Sequence, residues 1–388
     1  GGSPVEVGYV LPLSGNFAAN AKLEEEGFKL ALKQFGSKVD GHSITVHYVD
    51  SGGTPANGLS QATKLVTATH VQVMEGPLVS STIAAVSPYV IGKGIPEDDL
   101  YLASPQQMDT YKTKGLGLTS GWDGYGVSSA GATWAYKTQH WRHATVIGGN
   151  FSFGWQTVGG FDAAFTNLGG TIQKQIFIPS NATDLSSYIS QIPSTTNGVW
   201  VELSGAQAVT FVNDYQSFGL KGKIPLLGIT QLTTQSAVPS EKATAALGTY
   251  TDAQYCDGKS TTVNQKFADA FHKDYGTWPG YYADAGYVKG EILVNALKKT
   301  DGKATTGKKL SNAMRSVHIK ASRGPVTINH STWSPTQNAY ICKVKKVKGT
   351  LRNVPVKTYT AVPPWGLHIS KSQWTTIFAK ESAGPPSP

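Results

Sequence analysis

Short apolar runs alternate along this chain with longer stretches whose apolar residues recur every three or four positions. The runs at Val5–Val10, Ile44–Asp50, Val71–Glu75 and Leu100–Ala103 have the character of buried strands. The stretches near Ala21–Phe35, Leu59–Ala68 and Ser81–Ile91 carry a helical stripe, and Gly36 stops the first of them. Strands alternating with helices of this length predict right-handed crossovers and a parallel sheet. The rhythm restarts at Trp122 with a helix over Val127–Lys137 and a strand at Ala144–Ile147. Next comes a helix with Trp155, Val158, Phe161, Phe165 and Leu168 along one face, ended by Gly169-Gly170. A strand at Thr171–Ile178 follows, with Asp184 placed to cap the next helix. The pattern continues through strand Gly198–Leu203, helix Ala206–Phe218 closed by Gly219, and strand Ile224–Ile229. Past Gly248 it changes to helices near Val263–Tyr275 and Ala283–Lys298.

At 388 residues the chain exceeds what one hydrophobic core usually serves, so two lobes are expected. The fold class predicted is α/β, with two Rossmann-like lobes of parallel sheet flanked by helices. The formal charge of +9 is not gathered on one aromatic-studded element, which argues against a nucleic-acid partner. Its densest cluster, Lys343, Lys345, Lys346, Lys348 and Arg352, alternates as the solvent side of a hairpin would. There is no apolar run of the length that spans a membrane. The opening GGSPVEV runs straight into a strand, as in a mature chain without a signal peptide, and both a processed exported protein and a cytosolic one read this way. Cys256 and Cys342 lie in strand-like contexts, and their spacing leaves a disulfide and two separate buried thiols equally open.

Catalytic patterns fail on inspection. Gly302–Lys308 has phosphate-loop spacing, but Lys309 stands where a magnesium-binding hydroxyl belongs and the segment follows a helix. Gly115 to Gly121 is one residue too long for a dinucleotide fingerprint. His140 and His143 lack the spacing of a zinc protease helix, and no serine sits in a nucleophile elbow. The chain is therefore expected to be no enzyme and to need neither metal nor cofactor. Binding loops are more promising. Gly76–Ser81, GPLVSS, joins a strand to a helix, and a helix start offers free N–H groups to a carboxylate. The loop Asn150–Trp155 lies at the carboxyl end of its strand, the edge where open α/β sheets bind ligands.

These segments, together with Val7–Gly15 (VGYVLPLSG), Gly219–Gly228 (GLKGKIPLLG) and Gly280–Leu297, resemble the extracytoplasmic solute-binding proteins of ABC importers. The likeness is to the branched-chain amino acid type, with a type I periplasmic-binding fold, and it runs nearly end to end. It implies three hinge crossovers, near Leu118–Ser120, Leu247–Tyr255 and Arg323–Asn329, the last leading into a β segment at Ala339–Val347. The lobes are then residues 1–119 with 250–325 and 120–249 with 326–365, followed by an extension, 366–388, disordered from Ser382. It also implies a ligand carboxylate gripped by Ser81 or Ser80, with Ala103 and Ser104 as a second contact. Ser80 or Ser81 capping its helix, and Ser104 capping a turn, are the plainer alternatives. By the same likeness Asp123 pairs with a ligand ammonium, unless it is a helix cap. Phe153 stands where the family usually has a tyrosine as an aromatic wall over the ligand, keeping the apolar surface without the hydroxyl.

Where amino-acid binders carry an acid after the Ile224–Gly228 strand, this chain has Gln231. Glu202 is left either to substitute or to face solvent. A cleft rich in Trp122, Tyr125, Phe151 and Phe153 suits a flat aromatic acid as well as an apolar amino acid. The function expected is capture of a small carboxylate-bearing solute in the cleft between lobes and delivery to ABC permease subunits at a membrane. That places it in the periplasm or another extracytoplasmic space, free or lipid-anchored, as a monomer. The rival reading is the ligand-sensing domain of a receptor or regulator, against which the missing DNA-binding and membrane-spanning elements count.

Overall fold

The computed structural model describes residues 2–122 and 124–387. Fifteen strands run β1 Val5–Leu11, β2 Lys38–Val39, β3 His42–Asp50, β4 Val73–Glu75, β5 Glu97–Tyr101, β6 Leu118–Trp122, β7 His143–Gly149, β8 Thr171–Ile178, β9 Gly198–Glu202, β10 Leu226–Ile229, β11 Tyr250–Ala253, β12 Ile319–Ala321, β13 Gly324–Ile328, β14 Pro335–Val347 and β15 Thr350–Val362. The chain divides into two compact units, Gly1–Asp123 with Tyr282–Thr336, and Gly124–Tyr281 with Gln337–Pro388. It passes between them at 123/124, 281/282 and 336/337, where crossings near 118–120, 247–255 and 323–329 were expected.

In the first unit the sheet order is β2-β3-β1-β4-β5-β6, parallel except for the β2–β3 pair. Val10, Leu65, Met74, Val86 and Val90 form a core against helices Pro55–Lys64 and Ser80–Gly92. Helices Ala18–Phe35 and Tyr281–Lys299 meet through glycine. A Cβ on Gly27 would lie 2.0 Å from the Ala283 carbonyl oxygen, and one on Gly286 2.0 Å from that of Glu24. That approach sets Lys289 among buried acids: its Nζ lies 3.3 Å from Asp98 Oδ1 and 3.5 Å from Glu75 Oε2. Strand β5 starts three residues before the predicted Leu100, because Glu97, Asp98 and Asp99 are all fully buried in it.

In the second unit β8-β7-β9-β10-β11 are parallel, β14 joins β11 antiparallel, and β15 returns along β14. Ile147, Ile176, Val199, Phe211, Tyr215 and Leu232 pack one core. Of the stripe read after Ala144–Ile147, Val158, Phe161 and Phe165 are buried, while Trp155 and Leu168 are half-buried. In helix Ser152–Asn167, Phe161 stacks on Trp200 at 5.3 Å. Asp184 accepts from the Ser186 amide at 2.9 Å, one residue ahead of the Leu185 cap.

The lobe boundaries differ from expectation in several places, and residues 120–123 and 326–336, expected in the second lobe, fall in the first unit. Residues 250–281 belong to the second unit, because β11 pairs with β10 and β14, and Cys256 is bonded to Cys342 of β14. Residues 366–388 are no separate extension. Helix Lys371–Glu381 sets Trp374 and Phe378 edge-on to Tyr125, and the Gln156 side-chain amide donates to Ser382 Oγ at 3.3 Å. In the lysine cluster Lys345, Lys346 and Lys348 are exposed as the hairpin reading requires. Arg352 is not, since it is buried on Asp257.

The disulfide closes a loop spanning 86 positions, which restricts the unfolded chain more than the folded one. The double variant Cys256→Ala, Cys342→Ala is expected to lose about 2–5 kcal/mol of stability. Equal urea midpoints for variant and parent would contradict this.

Candidate functional site

Both sheets bring their binding loops to the carboxyl ends of parallel strands. In the first unit β4 ends in the turn that opens helix Ser80–Gly92. Gly76 makes that turn at φ +76°, where a Cβ would meet the Val10 carbonyl oxygen at 2.2 Å, so no other residue fits. Val79 occupies the cap position and supplies no side-chain oxygen. Val79 therefore gives the first-turn N–H groups no side-chain cap. Ser80 is buried at the helix start and Ser81 is exposed beside it.

The neighbouring strand β5 leads to Ala103 and Ser104. Ser104 caps helix Pro105–Lys114, its Oγ accepting from the Gln107 amide at 3.1 Å, so the turn-cap alternative is the one realised. The Ala103 N–H donates to Gln107 Oε1 at 2.6 Å. Gln107 Nε2 donates in turn to Asp99 Oδ2 at 3.0 Å and to the Tyr101 carbonyl at 3.2 Å. The Tyr111 hydroxyl also binds Asp99. This network, which sequence reasoning missed, holds the loop after β5. Burial raises the Asp99 carboxyl to about 7, against the Tyr111 hydrogen bond. At the end of β6 Trp122 is fully buried, edge-on to Tyr101 at 6.5 Å.

In the second unit β7 leads into Phe151, the residue before helix Ser152–Asn167, and its ring lies 6.4 Å from that of Phe153. A Cβ on Gly149 would meet the Phe151 ring at 2.3 Å and Glu202 Oε2 at 3.5 Å, so ring and carboxyl flank the same backbone. Glu202 ends β9 buried, not facing solvent, and accepts from the Gly149 amide at 3.3 Å. Burial pushes its carboxyl up to about 8. Gln231 is buried in the short turn Thr230–Leu232 after β10.

One of the expected residues stands elsewhere. Tyr125 is part of the helix packing of the second unit, its hydroxyl donating to Glu381 Oε1 at 2.9 Å, because the C-terminal helix covers it. Asp123 lies outside the described residues. Thus Ser80, Ser81, Ala103 and Ser104 share one sheet edge, and Phe151, Phe153 and Glu202 gather on the other sheet. Among the described residues no group of three metal-ligating side chains occurs, and no helix is long and apolar enough to cross a membrane.

Two parallel α/β units joined by three crossovers, with serines at one strand–helix turn and aromatics at another, define a two-lobed binding protein. The family model described as Periplasmic binding protein matches residues 4–350, and the chain belongs to that family, with its type I fold. Leu/Ile/Val-binding protein homolog 6 of Brucella melitensis is 27% identical over 373 residues, covering 92% of this chain and 91% of its own. An ABC transporter solute-binding protein from Rhodopseudomonas palustris BisB5, solved with 3,4-dihydroxybenzoic acid, is 26% identical with a TM-score of 0.87. That match covers 93% of this chain and 98% of the other. The branched-chain amino acid transporter substrate-binding protein of Streptococcus pneumoniae, solved with isoleucine, shares the fold at a TM-score of 0.76 and 18% identity, over 92% of this chain and 99% of its own. Proteins of this kind are binding proteins of ABC transporters, not enzymes.

Proposed function

We propose that the protein is the extracytoplasmic receptor of an ABC importer for small aromatic carboxylates, handing its solute to membrane permease subunits as a monomer without a catalytic step. The observation that carries the aromatic reading is Glu202. It is the one candidate acid of the second unit within the described residues. It is buried beside the Phe151 ring, and burial pushes its carboxyl up to about 8. The Phe151 and Phe153 rings beside it offer a flat apolar surface, and the Glu202 carboxyl offers a hydrogen-bond partner to a hydroxyl substituent on an aromatic ligand. The 3,4-dihydroxybenzoic acid held by the Rhodopseudomonas relative supports the same class. The carboxylate is assigned to the Ser80/Ser81 helix start, where N–H groups and the dipole favour an anion.

A thermal-shift panel of 4-hydroxybenzoate, 3,4-dihydroxybenzoate, leucine and isoleucine tests this. A ligand at a hundred times its Kd stabilises by about 2.7 kcal/mol. The benzoates are expected to shift the melting temperature and the amino acids are not; the reverse order would give the site to amino acids. The double variant Ser80→Ala, Ser81→Ala is expected to bind 4-hydroxybenzoate roughly tenfold or more weakly, since charge-assisted hydrogen bonds contribute about 1.5–3 kcal/mol. Unchanged calorimetric affinity in that variant would remove the carboxylate from the helix start.

A further inference from the structure

The second unit contains a cavity of about 360 Å³ that none of the solute-capture residues lines. Glu241 lines it, with Gln235, Val238, His272, Trp278 and Leu351 among the other walls. Glu241 is 7% exposed, and neither of its carboxyl oxygens has a hydrogen-bond partner among the described residues. A buried carboxyl without partners is costly, so its persistence at a cavity wall points to a group that the cavity receives. The nearby acid Asp257 shows the contrast. Arg352 binds its Oδ2, the Asn353 amide donates to its Oδ1 at 3.1 Å, and Gln235 Nε2 reaches both oxygens at 3.3 Å. The Gln235 amide also donates to the Leu351 carbonyl at 2.9 Å, so its N–H groups are committed away from Glu241.

Two further features of the cavity, a helix carboxyl end and an apolar wall, favour a cation with an apolar chain. Helix Thr262–Tyr275 ends at its wall, with the Gly276 amide capping the His272 carbonyl, and a helix carboxyl end attracts positive charge. The Trp278 ring stacks on His272 at 4.0 Å and carries the Arg352 guanidinium 3.7 Å from its centroid, which fixes it as a rigid wall. Val238 and Leu351 add aliphatic surface. A divalent cation takes six or more oxygen ligands or a cluster of nitrogen and sulfur donors, and Glu241 alone does not supply these.

We propose that this cavity is a second ligand site, specific for a small organic monocation of the primary alkylammonium class. The ammonium donates to Glu241, and its hydrocarbon chain lies on Val238, Leu351 and Trp278. Burial holds the empty-site carboxyl well above the usual carboxylate range, and an ammonium in contact favours its ionised form.

The test titrates n-butylammonium into the full chain by calorimetry, alongside the ¹⁹F signal of 5-fluorotryptophan at position 278. n-Butanol serves as the neutral shape match. The expected result is a saturable shift at Trp278 with butylammonium, and binding at least tenfold weaker for butanol. Glu241→Gln keeps the shape and removes the charge; it is expected to bind butylammonium at least tenfold more weakly while retaining parental affinity for 4-hydroxybenzoate. Thr277→Trp crowds the cavity from an exposed position and is expected to abolish the shift. Equal affinity for ammonium and alcohol, unchanged affinity in Glu241→Gln, or no saturable signal at Trp278 would each overturn the proposal. Loss of 4-hydroxybenzoate binding in Glu241→Gln would overturn the separation of the two sites.

Discussion

Lys289→Met is expected to destabilise the protein by about 3–5 kcal/mol, the scale for breaking a buried ion pair from one side. Lys289, Glu75 and Asp98 are all fully buried, and the ammonium stands 3.3 and 3.5 Å from the two carboxyls. It also donates to the Asp98 carbonyl oxygen. Burial works against the Lys289 charge, but Asp98, Glu75, Glu24 and Asp99 outweigh it and hold the lysine above its ordinary range. Removing the cation leaves a set of acids facing one another with no opposite charge. Most domains have only about 5–15 kcal/mol in total, so the loss is a large share. Adding Glu75→Gln to Lys289→Met should recover part of it, because one unbalanced acid is gone. A urea midpoint unchanged by Lys289→Met would show that the acids are neutral and indifferent to the lysine.

Stability is expected to fall as pH rises from about 5 to 8, the reverse of the common acid-side loss. Burial raises Glu24 to about 7, and Asp162, Glu202 and Glu381 to about 8, from ordinary values of 4.5 for glutamate and 3.8 for aspartate. An acid whose folded pKa lies above its unfolded one binds more protons when folded. Its contribution is complete below the unfolded value and disappears as pH climbs through the folded one. A displacement of one unit corresponds to about 1.4 kcal/mol, so two such groups displaced by a unit each already account for about 3 kcal/mol. Urea unfolding at pH 5.5 and pH 8 measures the difference. Equal stability at both, or greater stability at pH 8, would refute it. Bound 4-hydroxybenzoate should leave the trend from Glu24, Asp162 and Glu381 intact, since none of these lines the assigned loops.

Much of this architecture was legible because parallel strands and amphipathic helices write distinct periods into a sequence. The unit from Ala144 to Ile178 shows it well, its aromatic stripe and its terminal glycines standing where the structure has them. The acids of β5 were not legible. The strand was expected only from Leu100, and the lysine that lets Glu97-Asp98-Asp99 enter the interior stands 191 positions away from Asp98. Helix faces likewise do not state their partners, so Tyr125 looked like a cleft aromatic until the C-terminal helix covered it. The cysteine pairing needed strands β11 and β14 side by side, a neighbourhood that spacing does not encode. Of the candidate site, the strand–turn–helix at Ser80 was readable from local order alone. Gln107 was not, since its role depends on a side chain folding back on Ala103.

The long hairpin of β14 and β15 bears on how the protein behaves when concentrated. β15 pairs with β14 and, among the described residues, with no second strand, so its outer backbone edge is a template on which another copy could add. Pro355 withholds an N–H there, Lys357 places charge on it, and the register slips between Ile341 and Cys342 and again between Gln337 and Ala339. Ala361 turns the end of the strand through φ +49°. A thirteen-residue edge strand interrupted in this way presents an uneven, charged template, the features by which natural edge strands resist intermolecular pairing.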